Sequence, residues 1–169
     1  GDPKSMVNVP NPPLGTEAYK FQQFINSHFN MIVPSNAGKW ATNEGTRDVV
    51  TMTYVDTILN YAQSHNMRAR MHNSIWGTQQ PSWVTNASNT GLLDQASDAT
   101  LTQTQRDTAK ADLRQEITER TQYYVNSSRA NRYDEVDVYN ESYHTGSNNT
   151  NPVNYWNVYG ASGIAGTYN

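Results

Sequence analysis

Apolar side chains recur along this chain at two spacings, one typical of helices and one typical of buried strands. An amphipathic helix is predicted within residues 51–66, where apolar positions lie three or four residues apart at Val55, Ile58, Leu59 and Ala62. Asn66 is suited to end that helix in the left-handed conformation. An earlier helix, which Thr16 can cap, is predicted from the apolar positions Tyr19, Phe21, Phe24, Ile25 and Phe29.

A third helix is predicted from about Leu101 to Ser127. It is long and polar, and its inner positions are Leu113, Ile117, Arg120 and Tyr124. Residues 77–100 before it and 144–154 after it contain many turn-forming residues and are predicted as loops. Residues 155–169 are predicted to begin a further helix, whereas the prolines among residues 1–15 predict an irregular segment.

Three segments are predicted as strands: FNMIVP at residues 29–34, MRARMHNSIW at residues 67–76 and YDEVDVYNES at residues 133–142. In the last segment, Val136 and Val138 indicate a buried strand, although acidic side chains surround them. Helices and strands therefore alternate, and connections of this length favour parallel strands joined by right-handed crossovers. The predicted fold class is α/β, with residues 1–169 forming part of a single domain.

Composition narrows the choice of partners. The chain has 169 residues, of which 36% are hydrophobic and 16% charged, and its net charge is −3. Without clustered Lys and Arg, it gives no reason to expect nucleic acid or a membrane as a partner. Cysteine is absent, which excludes thiolate metal sites, and no metal or cofactor is expected. Asp94 and Asp98 are better explained by a solvated loop than by a calcium site.

Polar and aromatic side chains collect where the three predicted strands end. Because ligands bind at the carboxyl ends of strands in parallel α/β folds, these side chains are expected at one rim. Flat aromatic faces and amides are the groups that a sugar-binding groove uses. The residues are Ser35, Asn36, Lys39 and Trp40 at the first strand, His72, Asn73, Trp76 and Gln79 at the second, and Asn140, Glu141, Tyr143 and His144 at the third.

Each of these residues also has an explanation that needs no ligand. Lysines such as Lys39 are usually exposed, and a mid-strand histidine such as His72 is often a hydrogen-bonded core residue. Trp76 can close the end of a barrel, and Glu141 can cap the turn that follows it. Their coincidence on three successive strand ends is what favours a binding site.

Three segments resemble signature segments of family 10 glycoside hydrolases in order and approximate spacing: FNMIVPSNAGKW, RARMHNSIWGTQQPSWV and VDVYNES. The middle segment matches the family pattern at His72, Trp76, Gln79, Pro81 and Trp83, and the last one at Asp137, Val138, Asn140 and Glu141. The resemblance implies a (β/α)8 TIM barrel and a retaining endo-β-1,4-xylanase that hydrolyses internal bonds of xylan. This chain would supply about the first half of the barrel, to the fourth strand and the start of the following helix.

The resemblance also implies roles for individual residues. Glu141 corresponds to the general acid/base, which protonates the leaving oxygen. The residues that would bind substrate are Asn36 and Lys39 on the non-reducing side, His72, Trp76 and Gln79 beside the scissile bond, Asn140 at the 2-hydroxyl of the sugar, and Trp40.

The chain departs from the family pattern at three positions, because Ser35, Gly77 and Val136 stand where Glu, His and Trp are usual. Ser35 removes one carboxylate contact to the non-reducing sugar. The family's nucleophile, a Glu on the seventh strand, has no counterpart here, and a complete barrel needs ~250 residues. We therefore expect a second polypeptide to supply the C-terminal half of the barrel and the nucleophile.

Two functions of different class remain open on the sequence. The first is a xylanase that is active when its C-terminal half completes it. The second is a non-catalytic half-barrel that binds xylan or another β-glycan, or an inactive scaffold, which the change at Ser35 favours. Hydrolysis of a different β-linked glycan is a third possibility. The absence of cysteine and the abundance of Tyr, Asn, Ser and Thr are typical of many secreted proteins, so an extracellular location is expected.

Overall fold

The computed structural model describes residues 7–125 and 128–141, together with Tyr155 and Val158. Its helices are α1 (Glu17–His28), α2 (Trp40–Asn43), α3 (Thr53–Ser64), α4 (Leu92–Ser97) and α5 (Gln103–Val125). Its strands are β1 (Met31–Ile32), β2 (Arg68–Met71), β3 (Ile75–Trp76), β4 (Glu135–Val136) and β5 (Tyr139–Asn140). Two short 3-10 helices occupy Ser35–Gly38 and Ala130–Arg132.

The pairings between the five described strands are all parallel, which confirms the predicted fold class. One sheet has the order β1–β2–β4, and β3 pairs with β5 beyond it. The helices lie between the strands in sequence, as parallel pairing requires. The carboxyl ends of three successive parallel strands are therefore brought to one side of the sheet.

The second and third predicted strands are each divided in two, which the sequence did not predict. The interruption in the second strand lies at residues 72–74, and the carbonyl groups of Asn73 and Ser74 accept hydrogen bonds from Arg120 there. The neighbouring strand stays aligned, since the amide of Asp137 donates to Met71 and the amide of Ser74 donates to Asp137. The break turns the end of the second strand towards helix α5.

The predicted helix in residues 51–66 is confirmed, because its four apolar positions are all buried in α3. Asn66 adopts the expected left-handed conformation, with a φ of 52°. The hydroxyl of Thr16 accepts from the amide of Tyr19 and caps α1, also as predicted. The inner positions of α5 are buried as well, and these are Leu113, Ile117, Arg120 and Tyr124.

Residues 77–100 are not a plain loop, because they contain the short helix α4. Leu93 and Ala96 anchor it in the core. The carboxylate of Asp94 accepts hydrogen bonds from the amides of Asn86 and Gly91, which holds the preceding turn against the helix. Asp98 accepts from the amide and hydroxyl of Thr100. Both carboxylates thus stabilise local backbone structure.

Several apolar side chains that the sequence predicted to be buried are exposed. Phe24 and Phe29 are each 54% exposed on α1 and the residue that follows it. Val136 and Val138 are 44% and 42% exposed, so the prediction of a buried last strand is wrong for them. The Phe24 ring packs against His28 and Phe29 of its own segment, and Val136 lies on β4, an edge strand of the described sheet.

The predictions for residues 1–6, Ser127, Tyr143, His144 and residues 145–154 lie outside the described residues. Of the helix predicted in residues 155–169, Tyr155 and Val158 are described, and both are helical and buried. None of the described helices is long and apolar enough to cross a membrane.

Arg120 holds the centre of this fold. Its side chain is 1% exposed, and its guanidinium donates to the backbone carbonyls of Gly38, Asn73 and Ser74. The guanidinium also lies 5.3 Å from the ring centroid of Trp40 and 5.3 Å from that of Tyr124. One buried cation therefore connects helix α5 to the segments that follow β1 and β2.

Replacing Arg120 with Met should lower the free energy of unfolding of the full-length protein by about 3–5 kcal/mol, because buried carbonyls lose their donors. Denaturant unfolding followed by fluorescence measures the change. Arg114→Met on the exposed side of the same helix is the matched control, with an expected change within about 0.5 kcal/mol. Equal losses in the two variants would contradict the role given to Arg120.

Candidate active site

The first strand leads into a tight turn that carries two of the predicted site residues. Asn36 lies exposed in the 3-10 helix Ser35–Gly38, and Lys39 follows it. A Cβ atom on Gly38 would lie 2.3 Å from the carbonyl oxygen of His72, so a larger residue does not fit there. This close approach brings Lys39 next to the end of the second strand.

A chain of polar contacts joins the three strand ends. The ammonium of Lys39 lies 3.0 Å from Nε2 of His72, and Nδ1 of His72 lies 2.8 Å from Oδ2 of Asp137. The other oxygen of Asp137 accepts from Arg70, with 3.0 Å from Nε. Because an ammonium can only donate, Nε2 of His72 is the acceptor and Nδ1 carries the proton that Asp137 accepts. Asp137 thus fixes the tautomer of His72.

Burial and nearby charges have opposite effects on the pKa of Lys39, whose exposed fraction is 5%. Loss of hydration on burial lowers its pKa, while the charges of Glu141 and Asp137 act in the opposite sense. At Asp137, burial acts to raise the pKa, but hydrogen bonds from Arg70 and His72 outweigh it and the pKa is lowered. The site is therefore a mixed cluster in which each ionised group needs its neighbours.

Trp76 connects this chain to the predicted acid. The ammonium of Lys39 lies 3.7 Å from the centroid of the Trp76 ring, and the indole N–H donates to Oε2 of Glu141 at 2.9 Å. Glu141 is exposed, at the end of β5, and Trp76 is only partly buried. The carboxylate is therefore oriented by one hydrogen bond and open to a ligand.

The structure also places the amides that the sequence singled out. Asn140 is half-buried on β5, beside Glu141. Gln79 is exposed, and its backbone carbonyl accepts from the amide of Ala41, which ties the loop after β3 to α2. Ser35, where the family pattern has Glu, is half-buried with a φ of 49°.

Trp40 does not form a wall of this site, contrary to the prediction from sequence. It is 2% exposed, its indole N–H donates to Glu44 at 2.9 Å, and its ring packs edge-on against Trp83. Asn73 is likewise 1% exposed and buried within the fold. A side chain after a strand can point into the helix layer as readily as towards the rim. Both residues contact the buried Arg120, Trp40 through its ring and Asn73 through its carbonyl.

Arg70 and Asp137 are site residues that the sequence reasoning did not include. A usable signal existed, because Arg68, Arg70 and His72 alternate along one strand beside an acidic strand. In the structure Arg68 pairs with Glu135 at 2.7 Å, and Asp134 accepts from the amide of Ala69. The carboxylates of Asp134, Glu135 and Asp137 thus bond to β2 and the residue that follows it, whereas Glu141 accepts from Trp76 on β3.

These features define a parallel α/β fold with a polar site, which includes Trp76, at the carboxyl ends of its strands. The chain matches glycosyl hydrolase family 10 over residues 6–169. The chain therefore belongs to this family, and its described part is the N-terminal portion of a (β/α)8 barrel. The predicted family and fold are both confirmed.

Curated relatives with similar sequences are xylanases. Endo-1,4-beta-xylanase B of Cellvibrio japonicus is 41% identical over 61 residues, which are 36% of this chain and 10% of that protein. The endo-1,4-beta-xylanase of Agaricus bisporus is 36% identical over 85 residues, which are 49% of this chain and 26% of that protein. The chain thus spans a small part of the length of these relatives.

Solved structures extend the likeness over most of the chain. Xylanase B from Clostridium stercorarium F9 aligns with a TM-score of 0.70 at 20% identity, covering 90% of this chain and 43% of that one, which supports the fold alone. The intracellular xylanase TsXylA of Thermoanaerobacterium saccharolyticum, solved as a mutant with xylotriose, aligns with a TM-score of 0.64 at 26% identity. There the coverage is 90% of this chain and 44% of the other.

Asp137→Asn should lower the free energy of unfolding of the full-length protein by about 1–3 kcal/mol near neutral pH, since its hydrogen bonds with Arg70 and His72 are weakened. The folded-state pKa of Asp137 is depressed, so its stabilisation is present above the unfolded-state pKa and declines as the pH falls below 3.8. Denaturant unfolding at several pH values measures the difference.

The matched control is Glu135→Gln on β4, two residues before Asp137, whose carboxylate pairs with Arg68 and is 43% exposed. Exposed pairs contribute little, so its expected effect is under about 1 kcal/mol. A difference between Asp137→Asn and the unsubstituted protein that persists unchanged into acid would contradict the assignment.

Proposed function

We propose that this chain is the acid/base half of a retaining endo-β-1,4-xylanase. The observation that supports it most is the position of Glu141. Its carboxylate is exposed at a strand end, receives the indole N–H of Trp76 at 2.9 Å, and lies beside the cluster of Lys39 and His72. A carboxylic acid in such a place can reach the glycosidic oxygen of a sugar that lies on the aromatic face.

Each neighbouring group has a distinct role in the proposal. Lys39 donates hydrogen bonds to the hydroxyls of the sugar on the non-reducing side, with Asn36 beside it. His72, held in one tautomer by Asp137, fixes the ammonium of Lys39 in place. Because this network is formed without substrate, little reorganisation is needed when the sugar binds.

Three further side chains complete the sugar contacts in the proposal. Trp76 offers its ring and Gln79 its amide to the sugar beside the scissile bond. Asn140 contacts the 2-hydroxyl, where hydrogen bonds strengthen in an oxocarbenium-like transition state. Trp40 supports this wall from the core, since its buried indole is already bonded to Glu44.

The proposed mechanism needs a second carboxylate about 5–5.5 Å from Glu141 to attack the anomeric carbon. We propose that the C-terminal half of the barrel provides it. The exposed apolar side chains of Phe24, Phe29, Val136 and Val138 support this, because they offer surface that further strands and helices would cover.

Ser35 favours the alternative function, a sugar-binding half-barrel without turnover. A serine cannot supply the charged hydrogen bond that a carboxylate makes to a sugar hydroxyl, so binding on the non-reducing side is weaker. The enzyme remains the better proposal, because the intact Lys39–His72–Asp137 chain and the oriented Glu141 serve chemistry more than binding. Since xylan is an external polymer, we also propose that the protein acts outside the cell.

Glu141→Gln in the full-length protein should lower the rate of xylan hydrolysis by about 10²–10⁴-fold, because the leaving oxygen is no longer protonated. Binding of xylotriose, measured by calorimetry, should change little. An aryl xylobioside with a nitrophenol leaving group needs no proton, so its first step should survive. Azide, which needs no general base, should then release xylobiosyl azide and restore turnover.

Glu135→Gln is the matched control, since it removes a carboxylate of β4 that pairs with Arg68 and does not contact Trp76. It should hydrolyse xylan at the unsubstituted rate. Failure of azide to restore turnover in Glu141→Gln would reject Glu141 as the acid/base. Xylotriose binding with no hydrolysis by the unsubstituted protein would instead favour the non-catalytic alternative.

A further inference from the structure

A second charged cluster lies outside the residues of the proposed sugar site. Among the described residues, Glu44, Asp48 and Glu116 bring carboxylate oxygens within 4.8 Å of one another. Glu44 and Asp48 lie in the segment after α2, and Glu116 lies on α5. The cluster therefore joins two parts of the chain that are distant in sequence.

The carboxylate of Glu116 is incompletely satisfied. Its side chain is 2% exposed, and Oε1 contacts Nε and a terminal nitrogen of Arg47 at 2.6 Å each. Its other oxygen, Oε2, is buried and has no hydrogen-bond partner among the described residues. A buried carboxylate oxygen without a partner destabilises the fold, so a ligand bound at this atom would stabilise it.

The other two carboxylates differ in their surroundings. Glu44 is 3% exposed, and its oxygens accept from the indole of Trp40 at 2.9 Å and from the amide of Asp48 at 3.0 Å. The side chain of Asp48 is exposed and leaves the cluster open to solvent on that side. When ionised, the three carboxylates carry three negative charges against the single positive charge of Arg47.

The donor set is made of carboxylate oxygens alone, without histidine or cysteine. Such oxygens suit hard cations, and calcium in particular accepts six to eight oxygen ligands, including water, in flexible geometry. Burial raises the pKa of Glu116 while Arg47 acts to lower it, so a proton on Oε2 is the competing way to satisfy this atom. The exposed side at Asp48 leaves room for the waters of a bound cation.

We propose that Glu44, Asp48 and Glu116 form a binding site for a divalent cation of the calcium type. Oε2 of Glu116 would be its buried ligand, an oxygen of Asp48 its ligand on the solvent side, and an oxygen of Glu44 its third protein ligand. The cation would join the segment after α2 to helix α5. This site does not depend on the sugar chemistry proposed above.

The test uses the full-length protein after treatment with a chelator. Calcium chloride should raise the thermal unfolding midpoint, and terbium should give luminescence on excitation of tryptophan, because Trp40 is bonded to Glu44. Asp48→Asn, an exposed change that leaves the Glu116–Arg47 pair intact, should weaken terbium binding by about tenfold or more. Glu116→Gln should abolish it.

Asp107→Asn, which removes an exposed carboxylate from the same helix outside the cluster, is the matched control and should bind terbium normally. The proposal is overturned if calcium leaves the unfolding midpoint unchanged, or if Asp48→Asn binds terbium as tightly as the control. A rise in stability of Glu116→Gln without any calcium effect would assign the unpaired oxygen to a proton instead.

Discussion

The buried guanidinium of Arg120 is the contact on which the geometry of the site depends. It donates to the carbonyls of Gly38, Asn73 and Ser74, and so attaches the ends of the first two strands to one helix. A two-residue strand such as β1 cannot hold its following turn by pairing alone. A buried guanidinium needs several acceptors, and these buried carbonyls need a donor. Each group would therefore lose hydrogen bonds if the other moved away.

The chemistry of the rim follows from that attachment. Gly38 allows the turn after β1 to contact the backbone at His72, which places Lys39 on Nε2 of that ring. Asp137 then fixes the tautomer of His72, so that Nε2 of the ring accepts from Lys39. The acidic last strand serves two purposes: it pairs with the basic strand beside it, and it carries Glu141 to the open end.

Periodicity was sufficient to predict the three longer helices, α1, α3 and α5, and the parallel order of the strands, because burial of one helical face leaves a direct pattern. It did not predict the short helices α2 and α4. It could not predict where strands break, since the break at residues 72–74 depends on Arg120, a residue nearly fifty positions away. The same limitation explains Trp40, which turns into the core. Phe24 and Val136 are exposed although the apolar pattern predicted their burial. Such a pattern identifies side chains that favour burial, but it does not show whether the described residues bury them.

A crystal structure of the complete protein with bound xylotriose tests the central claim most directly, namely that a rim held by Arg120 is a preformed sugar site. We expect a xylose ring hydrogen-bonded to Lys39, with the Lys39–His72–Asp137 contacts unchanged. We also expect a second carboxylate, from the C-terminal half of the barrel, about 5–5.5 Å from Glu141. A sugar bound away from Lys39, or no carboxylate at that distance from Glu141, would contradict the account.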